Sequence, residues 1–180
     1  MSTGAQPGAG GGAGGGASKL AEVIVGQGGV SAPAATIDFT NIPSTSRHLQ
    51  LLIAAHGTVN GMWSYLRFNN DAGATSYWSQ WLSGNAASPG AGSENASWGR
   101  VAPHGVSGPT ATPVIVWIPN YALATSLLRG WLAGGSDGRY PAVTQTGGNW
   151  AGSAAISRIT ILADSGGLFA ADSYFGLYGL

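Results

Sequence analysis

The sequence predicts an all-β protein, an antiparallel sandwich or barrel, and three observations carry that expectation. Apolar residues recur at period two in short runs. Clusters of Gly, Ser, Asn and Pro separate the runs. No stretch of a dozen residues sustains the 3.6-residue period of an amphipathic helix. About eight short strands in a chain of this length suit a sandwich or a barrel.

Residues 1–18, MSTGAQPGAGGGAGGGAS, form an arm in which eight residues are Gly and four are Ala. Nothing in it can build a core, so a single sandwich domain is placed at 19–180. Ala21–Val25 is the first apolar run. His48–His56 follows, with Leu49, Leu51, Ile53 and Ala55 on one face. Across Met62–Asn69, Leu66 and Phe68 face one way, and Trp63, Tyr65 and Arg67 the other. Ser76–Leu82 carries Tyr77, Trp78 and Trp81. Pro113–Ile118 is the run PVIVWI, and Ser126–Leu132 is a weaker strand. Ile156–Ala163 puts Ile159 and Ile161 on one face, and Ser173–Tyr178 ends the pattern with aromatics. The intervening clusters Gly84–Gly92, Pro103–Pro109, Gly134–Gly138 and Thr146–Gly152 read as loops.

Charge is scarce: seven Lys+Arg and seven Asp+Glu in 180 residues, with a formal net charge of zero. The resulting 8% compares with roughly 25% in an average soluble domain. A phosphate-tracking surface would need more basic residues, so nucleic acid is not an expected partner. With zero Cys there is no disulfide framework, thiolate catalysis or cysteine zinc site. Met1 to Ser18 has no basic or apolar segment of a secretory signal, and no apolar run reaches the roughly 20 residues of a spanning helix. A soluble chain without a membrane role is expected. So little charge favours association, and hence a place in an assembly.

Chemistry-bearing groups are scattered. The three histidines are His48, His56 and His104. The first two lie roughly 26 Å apart along a strand, so no metal site or other cofactor is expected. Glu22, Asp38, Asp71, Glu94, Asp137, Asp164 and Asp172 offer no preferred carboxylate pair for glycoside hydrolysis. Ala54-Ala55-His56 and Asp164-Ser165-Gly166-Gly167 look like the histidine and serine signatures of chymotrypsin-like proteases, with Asp71 or Asp137 as a third member. Ala163 stands where that family has Gly, and only 15 residues follow Ser165. Asp71, in FNNDAG, reads more simply as a turn residue. Asn95-Ala96-Ser97 matches a glycosylation sequon by pattern alone. The chain is therefore expected not to be an enzyme.

The excess lies in seven Trp and six Tyr. Trp63, Trp78, Trp81, Trp98 and Trp150 are candidate interface or glycan-stacking aromatics, with Trp98 and Trp150 in polar, loop-like stretches. Asn41, Pro43, Arg47 and Asp71 are candidate structural anchors. Pro43 holds its predecessor extended ahead of a strand, and Arg47 is expected to tie a loop through backbone carbonyls.

Ile37 to Leu51, IDFTNIPSTSRHLQL, resembles the F-x-N-I-P-x-T-y-R-H-L-x-L opening of a group of tailed-bacteriophage virion proteins. Leu66 to Asp71, LRFNND, matches that group's L-R-F-N-x-D strand and turn. Ile156 to Ile161 and Gly167 to Leu180 match its I-x-x-I-x-I … F … L-Y-G-I close. The resemblance spans roughly residues 35–180. It implies a jelly-roll-like β-sandwich in a virion, commonly oligomeric, with a trimer favoured. A tail-associated protein (minor tail or fibre) is the first expectation and a capsid decoration protein the alternative. A carbohydrate-binding module for a host cell-surface glycan is the second alternative. Residues 1–18 are expected to contact other virion proteins.

Overall fold

The computed structural model describes residues 16–28, 30–59, 61–85, 88–105, 111–124, 129–137, 142–164 and 166–180. Twelve strands account for the regular structure there: β1 (Ser18–Ile24), β2 (Thr36–Phe39), β3 (Leu49–Ala55), β4 (Met62–Phe68), β5 (Tyr77–Asn85), β6 (Ser88–Ala96), β7 (Gly99–His104), β8 (Thr112–Ile118), β9 (Arg129–Asp137), β10 (Ala142–Trp150), β11 (Ile159–Ala163) and β12 (Tyr174–Gly179). All pairings are antiparallel. Among the described residues no helix is long and apolar enough to cross a membrane.

Two sheets result. The larger runs β1-β12-β3-β8-β9-β10-β5-β6, the smaller β2-β11-β4-β7. If β5, β6, β9 and β10 are set aside, the remaining eight strands form two four-stranded sheets, β1-β12-β3-β8 and β2-β11-β4-β7. Apart from the step from β4 to β7, which stays in the smaller sheet, the chain alternates between them in the order of a jelly roll. The other four strands are two insertions, β5–β6 between β4 and β7, and β9–β10 between β8 and β11. Pairing of β5 with β10 joins them into one continuation beyond β8. The sandwich is thus as expected, with four strands more than the sequence suggested. Three segments read as loops, Gly84–Gly92, Gly134–Gly138 and Thr146–Gly152, lie largely in these insertions.

The alternation in β3 and β8 explains the core. Leu49, Leu51, Ile53 and Ala55 are buried on one face of β3, and Val114, Val116 and Ile118 on the facing side of β8. From the small sheet they meet Ile37, Phe39, Leu66, Phe68, Ile159 and Ile161. Each such side chain contributes about 1.5–3 kcal/mol on leaving water. The close of the chain is tucked in. Leu177 is buried, and the Leu180 carbonyl accepts the backbone N–H groups of Arg47 and His48.

The insertions have a core of their own. Tyr77, Trp131 and Trp150 point inward and meet Phe68 with ring centroids 5.5–6.2 Å apart. The Tyr77 hydroxyl accepts the Phe68 N–H at 2.8 Å, and burial pushes its phenol pKa up. The indole of Trp131 lies between two glycines. A Cβ on Gly99 would come within 2.4 Å of it, and one on Gly148 within 2.3 Å. Glycine here is what lets a tryptophan lie flat against two strands.

Asn41 takes a left-handed φ of 54°, which Asn tolerates. The Pro43 carbonyl accepts the Tyr121 hydroxyl. Arg47 is a correction: its exposed guanidinium reaches the side-chain oxygen of Asn120 at 3.5 Å, and its backbone, not its side chain, ties the chain end. The arm's residues 1–15 lie outside the described residues, and Ser18 already belongs to β1.

Candidate functional site

Period-two alternation leaves one face of β9, β10, β5 and β6 turned away from the sandwich. Residues opposite one another across the register share that face. One row runs Trp117–Leu132–Gly147–Gln80–Ser93. The row on one side is Gly130–Asn149–Trp78–Asn95, and on the other Ile115–Gly134–Gln145–Leu82–Ala91. Gly147 lacks a side chain at the middle of the central row. A groove of about 750 Å³ therefore opens there, walled by Trp78 and Asn149 on one side and by Leu82 and Gln145 on the other.

None of the lining residues is charged. Trp78 is 59% exposed, Leu82 63% and Leu132 47%. An exposed indole beside three carboxamides, on a floor cleared by glycine, combines a flat apolar platform with donors and acceptors in one place. Such a surface suits a ligand that is apolar on its faces and polar around its rim.

The groove's floor is held from below. Ser79 and Trp81 of β5 face inward, and Arg100 on β7 meets both. The Arg100 N–H donates to Ser79 Oγ at 3.0 Å. Its guanidinium lies 4.2 Å from the Trp81 ring centroid and 4.4 Å from that of Trp63. Glu94 on β6 closes the arrangement by accepting two bonds from the same guanidinium, each at 2.8 Å. Burial opposes the Arg100 charge, but the Glu94 bonds and nearby Tyr65 outweigh it, so its pKa stays raised. Trp131 Nε1 donates to the Arg100 carbonyl at 3.1 Å. A bidentate pair with cation–π contacts on both indoles fixes β5 and β6 against β7.

The five candidate aromatics therefore part company. Trp78 stands exposed in the groove, and Trp81 also lines it. Trp63 and Trp81 are half-buried around Arg100. Trp98 is half-buried and packs at a tilt against Tyr65, ring centroids 5.4 Å apart, with the Arg67 guanidinium 5.8 Å away. Trp150 is a correction: it ends a strand rather than lying in a loop, and it is 3% exposed. Its Nε1 donates to Asp71 Oδ2 at 2.7 Å. The turn role of Asp71 is present too, with Oδ1 accepting from the Gly73 N–H and the Ser76 hydroxyl, both at 2.9 Å. Burial works to raise its pKa, and these donors more than offset it, holding the carboxyl below its ordinary value.

The sequence did not single out Gln80, Leu82, Leu132, Gln145, Gly147 or Asn149. Their common face appears only once β10 is known to be a strand. The β-branched alternation of Val143, Thr144 and Thr146 was the available signal.

The histidines do not converge. His48 precedes β3 and packs at a tilt against Trp117, ring centroids 4.9 Å apart, while His56 follows β3. His104 is fully buried, with Nε2 2.8 Å from the equally buried Ser64 hydroxyl. Burial drives its pKa down to about 4, so it is neutral near pH 7. Among the described residues no three His, Asp or Glu side chains cluster in a way that could hold a metal ion. Of the protease-like set, Ser165 lies outside the described residues, as does the side chain of Asp137, and Asp71 is committed to Trp150, Gly73 and Ser76.

No family model, curated protein or solved structure matches this chain.

Proposed function

We propose that the chain is a non-enzymatic structural and adhesive component of a tailed-bacteriophage particle, tail-associated, that holds a neutral glycan in the groove over β9, β10, β5 and β6. One observation carries the adhesive part. Trp78 is an exposed indole in an uncharged groove whose lining also carries three carboxamides and two leucines. A pyranose ring has C–H faces that stack on an indole and a hydroxyl rim that pairs with amides. An uncharged wall spares it the desolvation cost that an ionic site would impose. The particle assignment rests on the resemblance of residues 35–180 to phage virion proteins. The jelly-roll path is compatible with it, since that architecture serves both viral coats and lectins. A single shallow groove binds weakly, and several copies on one particle multiply such contacts.

A glycan array probed with the full chain and with Trp78→Ala tests the adhesive role. Binding by the parent and loss in the variant is the expected result. No signal on any glycan would leave a purely structural role. Antibody labelling of particles that contain the chain distinguishes tail from head.

A further inference from the structure

We propose that the glycan held in the groove carries N-acetyl groups: a neutral chain of N-acetylated amino sugars laid across strands β9 to β6. This inference rests on the glycan reading of the groove and specifies its ligand.

A plain hexose leaves two side chains of the groove without a role. Trp78 serves a sugar face, and Gln80, Gln145 and Asn149 serve hydroxyls. Leu82 and Leu132 remain, both well exposed, in adjacent rows on different strands of the groove. Beside a hydroxyl rim a leucine removes water without returning a hydrogen bond, which weakens binding. An N-acetyl group reverses that balance. Its methyl takes up the leucine, and its amide N–H and C=O match the carboxamides of Gln80 and Gln145.

Two leucines on separate strands call for more than one acetyl group, and hence more than one sugar. Strands about 4.8 Å apart give β9 to β6 a breadth of about 14 Å, room for a short oligosaccharide. The floor leaves that path open at Gly147, where a Cβ would already meet Leu132 Cδ1 at 3.7 Å. The absence of charge from the lining completes the choice. A uronic acid would need a cation and a free amino sugar would need a carboxylate.

Calorimetry on the full chain with three trisaccharides tests this: the β-linked N-acetylglucosamine trimer, its N-deacetylated form and the glucose trimer. The acetylated trimer is expected to bind at least about tenfold more tightly than either of the others. Leu82→Ala and Leu132→Ala should each reduce that preference, with an unchanged melting temperature because both side chains are exposed. Equal affinity for the acetylated and glucose trimers overturns the N-acetyl inference and leaves the glycan groove standing. No binding to any of the three, with no signal on the glycan array, overturns both. Self-association of the parent chain abolished by Leu82→Ala, without sugar binding, would mark the face as a contact between copies and also overturn both.

Discussion

The indole Nε1 of Trp150 donates to Oδ2 of Asp71 at 2.7 Å, although the residues stand 79 positions apart. This bond ties the end of β10 to the turn after β4, and so fastens an inserted hairpin to the jelly roll. Replacing Asp71 by Ala leaves a buried indole N–H without its partner and removes two turn bonds. A loss of about 1–3 kcal/mol is expected, read as a lower denaturant midpoint. Because the carboxyl is held below its ordinary value, this contribution is present above pH 3.8 and fades as pH falls further.

A second acid effect comes earlier. Unfolded His104 takes up a proton near pH 6.5, and the folded protein only near pH 4. The unfolded state therefore binds more protons between these values, and stability falls as pH is lowered from 6.5 towards 4. The shift corresponds to about 3 kcal/mol across the window. Denaturant melts at stepped pH should show this slope. His104→Gln, which does not titrate, should flatten it.

Arg100 links three strands through its two indole contacts and Glu94. Lysine can neither fork onto a carboxylate nor lie flat on a ring. Arg100→Lys should therefore cost about 2 kcal/mol, a fall of about 4–8 °C in melting temperature for a chain of this size. Scanning calorimetry checks it. Sugar binding well below the melting point should survive, since Arg100 lies beneath the groove.

Neighbouring glycines on β10 separate fold from function. A Cβ on Gly148 would sit 2.3 Å from the Trp131 ring and 2.4 Å from the Trp78 carbonyl. Gly148→Ala should thus destabilise by about 1–3 kcal/mol. A Cβ on Gly147 meets nothing closer than 3.7 Å, so Gly147→Ala should fold normally and lose glycan affinity. Melting curves and binding titrations on the pair give this contrast.

These glycines also show where the sequence was hard to read. The jelly-roll strands β3 and β8 announce themselves, because each buries one face and alternates cleanly. In the insertions β5 and, more weakly, β9 read as strands, whereas β6 and β10 do not. Gly92 and Gly148 are small because Trp81 and Trp131 lie across them, and such pairing joins residues on different strands. Read locally, the same glycines look like turns. The groove was hidden for the same reason: of its lining only Trp78 and Trp81 were conspicuous, and Trp63, Trp98 and Trp150 were equally conspicuous without standing in it.

The most direct test of the glycan groove follows the seven indole N–H signals by NMR during titration with the N-acetylglucosamine trimer. The groove account predicts that the Trp78 indole signal shifts in a saturable way while those of Trp131 and Trp150 stay still. Shifts centred on Trp63 or Trp98, or none at any indole, would contradict it.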